Sequence, residues 1–315
     1  MHLLIPFAAS HDENCLAILP SLNLPHLQKL LSRLTAQPLD AGDELSLSPP
    51  HERALARPLG LPVQDGQIPW AAWQAQKRPD LVPVHGGAWA LVTLCNWQAS
   101  AHQVTMSQIP MKDLNAAESD QFLSTMQPFF NEDGITLYPL EPGHWLAHGA
   151  VFAQLRSASP DRVLGRNLEP WMPQSTQANS LIRLMSEMQM LLYNHPTNTL
   201  REQRGALPVN AFWLSGTGEW PAPLRTTQAL EPTVIPHLRD AALLENWRGW
   251  REAWHALDAR EGLTLLQASA RGEAVQLTLC GERHAQTWHS QPLTLRQKIK
   301  SFFGPQRIQD LLKQL

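Results

Sequence analysis

Several signals that would mark a familiar class are scarce or missing in this chain. Cysteine is rare: Cys15, Cys95 and Cys280 are odd in number and far apart in 315 residues, with no CxxC or Cys/His ligand spacing. They give neither a disulfide framework nor a cysteine zinc site, and read as reduced thiols of a cytoplasmic protein. No sign of charge dominates. The net charge of −3 leaves no electrostatic footprint for nucleic acid or an anionic membrane surface. No apolar run approaches the roughly 20 residues of a membrane-spanning helix. The opening MHLLIPFAAS is apolar but short, has no basic leader, and runs into His11-Asp12-Glu13. It is expected to form a first strand, not a signal peptide. There is no internal repeat, no Walker loop, no GxGxxG and no GxSxG elbow.

Apolar residues make up 43% of the chain and charged residues 17%, an ordinary globular balance. The length suggests roughly two domains or one large one. The boundary is placed in the loop-rich stretch after residue 155, giving halves 1–155 and 156–315. Leu3–Ala8 reads as a buried strand with His11–Asn14 as the following loop. Leu24–Leu34 has the spacing of one helical face, with Pro25 in its first turn. A helix is expected after Ser48-Pro49-Pro50, and a helical turn at Trp70–Trp73. Trp89–Cys95 with Gln103–Met106, and Ile135–Tyr138 with His144–His148, read as hairpins. Glu118–Phe130 reads as a helix. Thr233–Asp258 carries Leu243, Leu244, Trp247, Trp250 and Trp254 at helical spacing, as core or as a partner-binding stripe. Leu263–Ala268 and Ala274–Cys280 read as strands joined at Arg271-Gly272. Leu293–Phe303 and Pro305–Leu315 read as short helices. The mixture predicts an α/β fold with a mixed central sheet flanked by helices.

Residues 180–221 concentrate the most restrictive residue types. Leu181, Leu184, Met185, Met188 and Leu192 share one helical face and are expected in the core. Pro196 stops that helix. A polar elbow follows with Asn198, Arg201, Glu202 and Arg204. Val209–Leu214 reads as a buried strand carrying one polar residue, Asn210. Ser215-Gly216-Thr217-Gly218 then reads as a turn. Two interpretations stand side by side. Asn198, Arg201, Asn210, Ser215, Gly216 and Gly218 converge on a phosphate or carboxylate, through turn N–H groups and a guanidinium. Or Asn198, Arg201 and Asn210 form a structural network tying the elbow to the sheet, and the glycines merely turn the chain. Either way, Asn198, Arg201 and Asn210 are expected to meet beside Ser215–Gly218, and Trp213 to be buried. His85-Gly86-Gly87 offers a second, plainer glycine turn. Trp70, Trp73 and Trp97 are expected to pack on the sheet, with ring stacking on a ligand as the alternative.

The run NHPTNTLREQRGALPVNAFWLSGTGEWP resembles a segment of archaeal-type cofactor-independent phosphoglycerate mutases. It matches at His195, Pro196, Asn198, Arg201, Gly205, Pro208, Asn210, Trp213, Leu214, Gly216, Gly218 and Pro221. A longer resemblance, to bacterial RpfE-type regulatory proteins often labelled phosphoglycerate-mutase-like, runs through LPHLQKLL, PPHERALA, DGQIPWAAW, CNWQ, GRNLEPWMP and EMQMLLYNHPTN. It implies a cytoplasmic protein linked to regulation. The mutase resemblance implies an alkaline-phosphatase-like architecture, here reduced, and a reaction needing two metals and a Ser or Thr nucleophile. It also implies an early Asp-Gly after the first strand. This chain has Ala8-Ala9-Ser10-His11 there and no Asp-His dipeptide, and only Asp240, Asp258 and Asp310 follow Pro221. Ser10, His11 and Asp12 are neighbours on an extended segment and point different ways, which is no triad.

These features favour a non-catalytic regulatory or accessory protein with an anion pocket. No cofactor, metal or catalytic residue is assigned. The alternatives are a metal-dependent phosphotransfer enzyme and an interaction module with an aromatic surface. The expected partners are a small anion and a protein, with no nucleic acid or membrane.

Overall fold

The computed structural model describes residues 1–84, 87–174, 178–220, 231–290 and 307–315. His85-Gly86, Pro221, Leu293–Phe303 and the first residues of Pro305–Leu315 therefore lie outside the described residues. Two compact units emerge: Met1–Gly60 with Arg225–Leu315, and the continuous Leu61–Leu224. The chain thus divides elsewhere than at 155/156, which falls inside the continuous unit. There Thr217 Oγ1 donates to Leu155 O and Trp213 Nε1 to Ala158 O.

In chain order, the first segment carries β1 (His2–Ile5), α1 (Glu13–Ile18), α2 (Pro25–Leu31), β2 (Thr35–Ala36) and α3 (Pro50–Ala56). The continuous unit holds α4 (Trp70–Ala75), β3 (Ala88–Ala99), β4 (Val104–Gln108), α5 (Ala116–Glu132), β5 (Thr136–Glu141) and β6 (His144–His148). It continues with α6 (Pro160–Val163), α7 (Asn179–Tyr193), α8 (Pro196–Gln203) and β7 (Ala211–Glu219). The last segment adds β8 (Thr233–Val234), α9 (Arg239–Leu243), α10 (Trp247–Leu257), α11 (Leu263–Ala270), β9 (Gln276–Cys280), β10 (Ala285–His289) and α12 (Ile308–Leu312).

The α/β class holds, with two five-stranded sheets among the described residues in place of one central sheet. In the discontinuous unit the order is β2-β10-β9-β1-β8. Strand β1 is parallel to β8 and β9, whereas β10 is antiparallel to β9 and β2. The sheet is therefore mixed. In the continuous unit the described strands β3–β7 pair antiparallel with one another and β3 is the centre. Strand β7 runs along one edge of β3, from Ala88 to Cys95. The other edge is shared, with β6 opposite Trp89–Thr93 and β4 opposite Cys95–Ala99.

Helix α2 starts at Pro25, whose missing N–H is no loss in a first turn. Its preceding residue, Leu24, has no capping side chain. The buried carboxylate of Asp258 takes that place, accepting from His26 N at 3.2 Å and Leu27 N at 2.8 Å. The tryptophan stripe of α10 is core. Trp250 and Trp254 are fully buried, and Trp247–Trp250 and Trp250–Trp254 pack edge to face at 6.0 Å. Trp250 Nε1 donates to Phe7 O. A partner-binding role for this stripe has no exposed surface to use.

The expected long helix over 233–258 is broken. Leu244 is 79% exposed and Glu245 has a φ of +52°, so α9 and α10 are separate elements. The expected strand at Leu263–Ala268 is helix α11, entered through a π-turn at Asp258–Gly262. A short apolar run carries no period that separates strand from helix. Packing on α2 decides it here. Asp12 caps α1, where a loop was expected, by accepting from Asn14 N and Cys15 N.

Candidate functional site

Helix α7 buries the expected stripe Leu181, Leu184, Met185, Met188 and Leu192. It ends at Tyr193, but the polar elbow is not a loop. His195 caps a second helix, α8, with Pro196 at its first position. One face of α8 is buried through Thr197, Asn198 and Arg201.

The Asn198 side chain behaves as a peptide group. Its Oδ1 accepts from Val209 N at 2.8 Å and its Nδ2 donates to Val209 O at 2.7 Å and Leu192 O at 2.8 Å. Asn210 repeats the device one residue further on. Its Oδ1 accepts from Trp97 N at 2.7 Å and its Nδ2 donates to Trp97 O at 2.9 Å. The amide thus prolongs the β3–β7 ladder beyond Ala211. Each side chain satisfies backbone groups that would cost about 1–3 kcal/mol if buried and unpaired.

Arg201 is 0% exposed. Its Nε and Nη2 both donate to Leu207 O, and its Nη1 donates to Asp113 O at 2.7 Å and Glu118 Oε2 at 3.1 Å. Arg204, half exposed, donates to Asp113 O and Glu118 from outside. Glu118 also closes a capping box with Asn115 at the start of α5. Burial pushes the Glu118 carboxyl up. Hydrogen bonds from Arg204 and Asn115 N, with the charges of Arg201 and Arg204, outweigh it and hold the group below its usual range. A cavity of about 290 Å³ lies over this cluster, bordered by Lys112, Asn115, Arg204 and Gly205.

The Ser215–Gly218 run is not a turn after the strand. It is part of β7, with Ser215 opposite Leu91 and Gly218 opposite Trp89, and a register irregularity between them. Thr217 is fully buried, its Oγ1 bonded to Leu155 O. Gly216, at φ +60°, lets α4 approach; a Cβ there would meet Trp70 Cβ at 2.9 Å. Asn198, Arg201 and Asn210 thus all brace the 207–210 segment and its neighbours. Their amide and guanidinium groups are committed to backbone and Glu118, and the glycines serve close packing. Trp213 is buried as expected. Trp97 is half-buried, 6.3 Å from the Trp213 ring, and lines an open cavity of about 690 Å³ with Val104, Leu168, Met172 and Gln189. No spacing signal in the sequence announces that cavity.

The other place to test is the carboxyl end of the parallel strands β1 and β9, where ligands bind in open α/β sheets. Ser10 Oγ and His11 N both donate to Glu282, at 3.3 and 3.2 Å. Asp12 is spent on the α1 cap. Asp40 holds Arg57 at 2.6 and 2.9 Å, and His284 Nδ1 accepts from Gly42 N. These donors do not fit a two-metal centre, because each faces its own intramolecular partner. Among the described residues no three His, Cys, Asp or Glu side chains form a group able to hold a metal.

No protein-family model matches the chain. Two curated proteins align with part of it. One is a probable 2,3-bisphosphoglycerate-independent phosphoglycerate mutase of Geobacter sulfurreducens, 26% identical over 134 residues, which is 41% of this chain and 33% of that protein. The other is the 2,3-bisphosphoglycerate-independent phosphoglycerate mutase of Methanosarcina barkeri, 24% identical over 125 residues, 38% of this chain and 31% of that protein. Over that part the chain is similar in sequence to these two mutases. The match spans about a third of the length of these relatives. Among solved structures, the cofactor-independent phosphoglycerate mutase of Thermoplasma acidophilum aligns with a TM-score of 0.36 at 13% identity, covering 100% of this chain and 99% of that one. The PH0037 protein of Pyrococcus horikoshii aligns with a TM-score of 0.45 at 13% identity, covering 95% and 92%. No helix among the described residues is long and apolar enough to cross a membrane.

Proposed function

We propose that this chain is a phosphoglycerate-mutase-like protein acting as a non-catalytic regulatory or accessory protein of the cytoplasm, in line with its RpfE-type resemblance. The observation that carries this is the use made of Asn198, Arg201 and Asn210. These motif residues, which the chain has in common with the mutase pattern, are consumed in a brace that holds α8 and Leu207–Asn210 to the sheet. A scaffold explains their presence without a reaction.

The test is an assay of purified full-length protein for interconversion of 2- and 3-phosphoglycerate, with and without manganese. It is paired with unfolding of wild type and Arg201→Ala in the presence and absence of phosphate. The expected result is no turnover, and a loss of stability in Arg201→Ala that is the same with and without phosphate. Turnover that survives repurification and is lost in a second, independent preparation of Arg201→Ala would establish the metal-dependent phosphotransfer alternative. A phosphate-dependent difference would restore the anion pocket.

A further inference from the structure

His195 is held so that its two ring nitrogens have fixed and different duties. Its Nδ1 lies 3.3 Å from Thr197 N, and its Nε2 lies 3.0 Å from Thr125 Oγ1. A backbone N–H only donates, so Nδ1 must carry a lone pair. The Thr125 hydroxyl gives its hydrogen to Gln121 O at 2.9 Å. Its oxygen therefore accepts from Nε2–H. These two partners together admit one state of the ring, the neutral Nε2–H tautomer. A second proton, on Nδ1, would point at the Thr197 N–H in a site only 9% exposed. The ring is also packed on Phe122, with centroids 4.8 Å apart.

What hangs on this ring is the first turn of α8. Eight residues are too few to persist as a helix without tertiary support. That support is the His195 cap, the bond from Thr197 Oγ1 to Gln121 Oε1 at 2.6 Å, and the bonds of Asn198 and Arg201. The first two run to the middle of α5 and tie down the first turn of α8; the Arg201–Glu118 bond holds its last turn to the start of α5 independently of the ring.

We propose that His195 is an acid-sensitive latch, whose protonation frees the first turn of α8 from α5 and loosens the brace on Leu207–Asn210. The charged groups on the elements around the ring are Glu118, Asp120 and Glu132 on α5, Arg183 and Glu187 on α7, and Arg201 and Glu202 on α8. Glu118 is engaged by Arg201 and Arg204, and Arg183 by Asp133 and Glu187. None of these carboxylates is bonded to the imidazole to offset a positive charge. Burial pulls the ring below its ordinary value, in the same direction as the geometry.

The experiment is hydrogen exchange of the full chain at pH 7.5 and 5.5, corrected for intrinsic rates, read on peptides covering residues 196–204. If the open state titrates near 6.5 and the latched state does not, the opening equilibrium rises about tenfold between these pH values. Peptides from β3 and β7 should change less. His195→Asn keeps an acceptor for Thr197 N without a titrating ring, so its α8 peptides should exchange alike at both pH values. Unchanged protection of wild-type α8, or the same tenfold loss in His195→Asn, would overturn the latch. If that variant does not fold, nitrogen spectra of ¹⁵N-histidine-labelled wild type decide the matter. A neutral Nε2–H ring that resists protonation below 6.5 supports the latch. A proton on Nδ1 at pH 7.5 overturns it.

Discussion

Arg201 is the side chain on which most depends at the scale of single residues. It is a guanidinium with no exposed surface, and Glu118 at 3.1 Å is the carboxylate in direct contact with it. Removing one partner of a buried pair leaves the other charge uncompensated, at about 3–5 kcal/mol. Glu118→Gln keeps the shape and the capping acceptor but not the charge. It is expected to lower stability by an amount in that range in urea unfolding. A midpoint within experimental error of wild type would show that the carbonyls of Leu207 and Asp113 suffice for Arg201. At this scale the sequence was legible in part. The sequence marks Asn198, Arg201 and Asn210 as restrictive residues, and in the structure each bonds backbone groups, Asn198 and Arg201 from buried and Asn210 from half-buried positions. Their duties differ from an anion site because acceptor geometry is set by where Val209, Trp97, Leu207 and Asp113 lie, residues up to 113 positions away.

At the scale of elements, helix ends show the same division. Asp12 and Asn115 are local caps, and their side chains bond amides two or three residues ahead. The cap of α2 comes from Asp258, 231 residues from Leu27. A helix cap is worth about 0.5–2 kcal/mol. Asp258→Ala is expected to cost an amount in that range, and Asp258→Asn, which still offers an oxygen to Leu27 N, to cost less. Equal losses in chemical unfolding would mean that the side-chain contact with His26 Nδ1 matters and the cap does not. Helices α2, α5, α7 and α10 were visible as apolar periods, since a period of 3.6 records one buried face. Strand β10 and helices α8 and α11 were missed. Each is short, and α8 is mostly polar outside its buried face, so tertiary bonds supply what the pattern lacks.

For the whole molecule, acid is the informative variable. The folded value of His195 lies below its ordinary 6.5, lowered by burial. As pH falls past about 6.5 the unfolded chain takes a proton that the native ring refuses, so stability falls until the folded value is reached. Glu118 and Asp40 act lower down. Burial raises both, but Arg204 for Glu118 and Arg57 for Asp40 lead the contacts that bring each below its ordinary value. Their contribution is intact above the ordinary values of 4.5 and 3.8 and is lost as pH falls through the folded ones. Urea unfolding is therefore expected to give level stability from about pH 7.5 up to the ordinary thiol value of 9.0, beyond which the buried cysteines, raised by burial, oppose folding; on the acid side a first decline starts near 6.5 and a second below 4.5. Equal midpoints at pH 7.5 and 5.5 would contradict the first decline.

What the sequence determined by itself was local: the α/β class, the apolar faces of α5, α7 and α10, the hairpins β3–β4 and β5–β6, and the burial of Trp213. All of these follow from side-chain period and turn chemistry within a few residues. Only the tertiary structure decided that the described strands form two sheets, that the chain divides at 60 and 224, and that Asn198, Arg201 and Asn210 brace backbone. The physical reason is that a polar side chain's role depends on which unpaired donor or acceptor is brought within about 3 Å of it. That choice is made by strands and helices folding together, and a sequence window does not contain it.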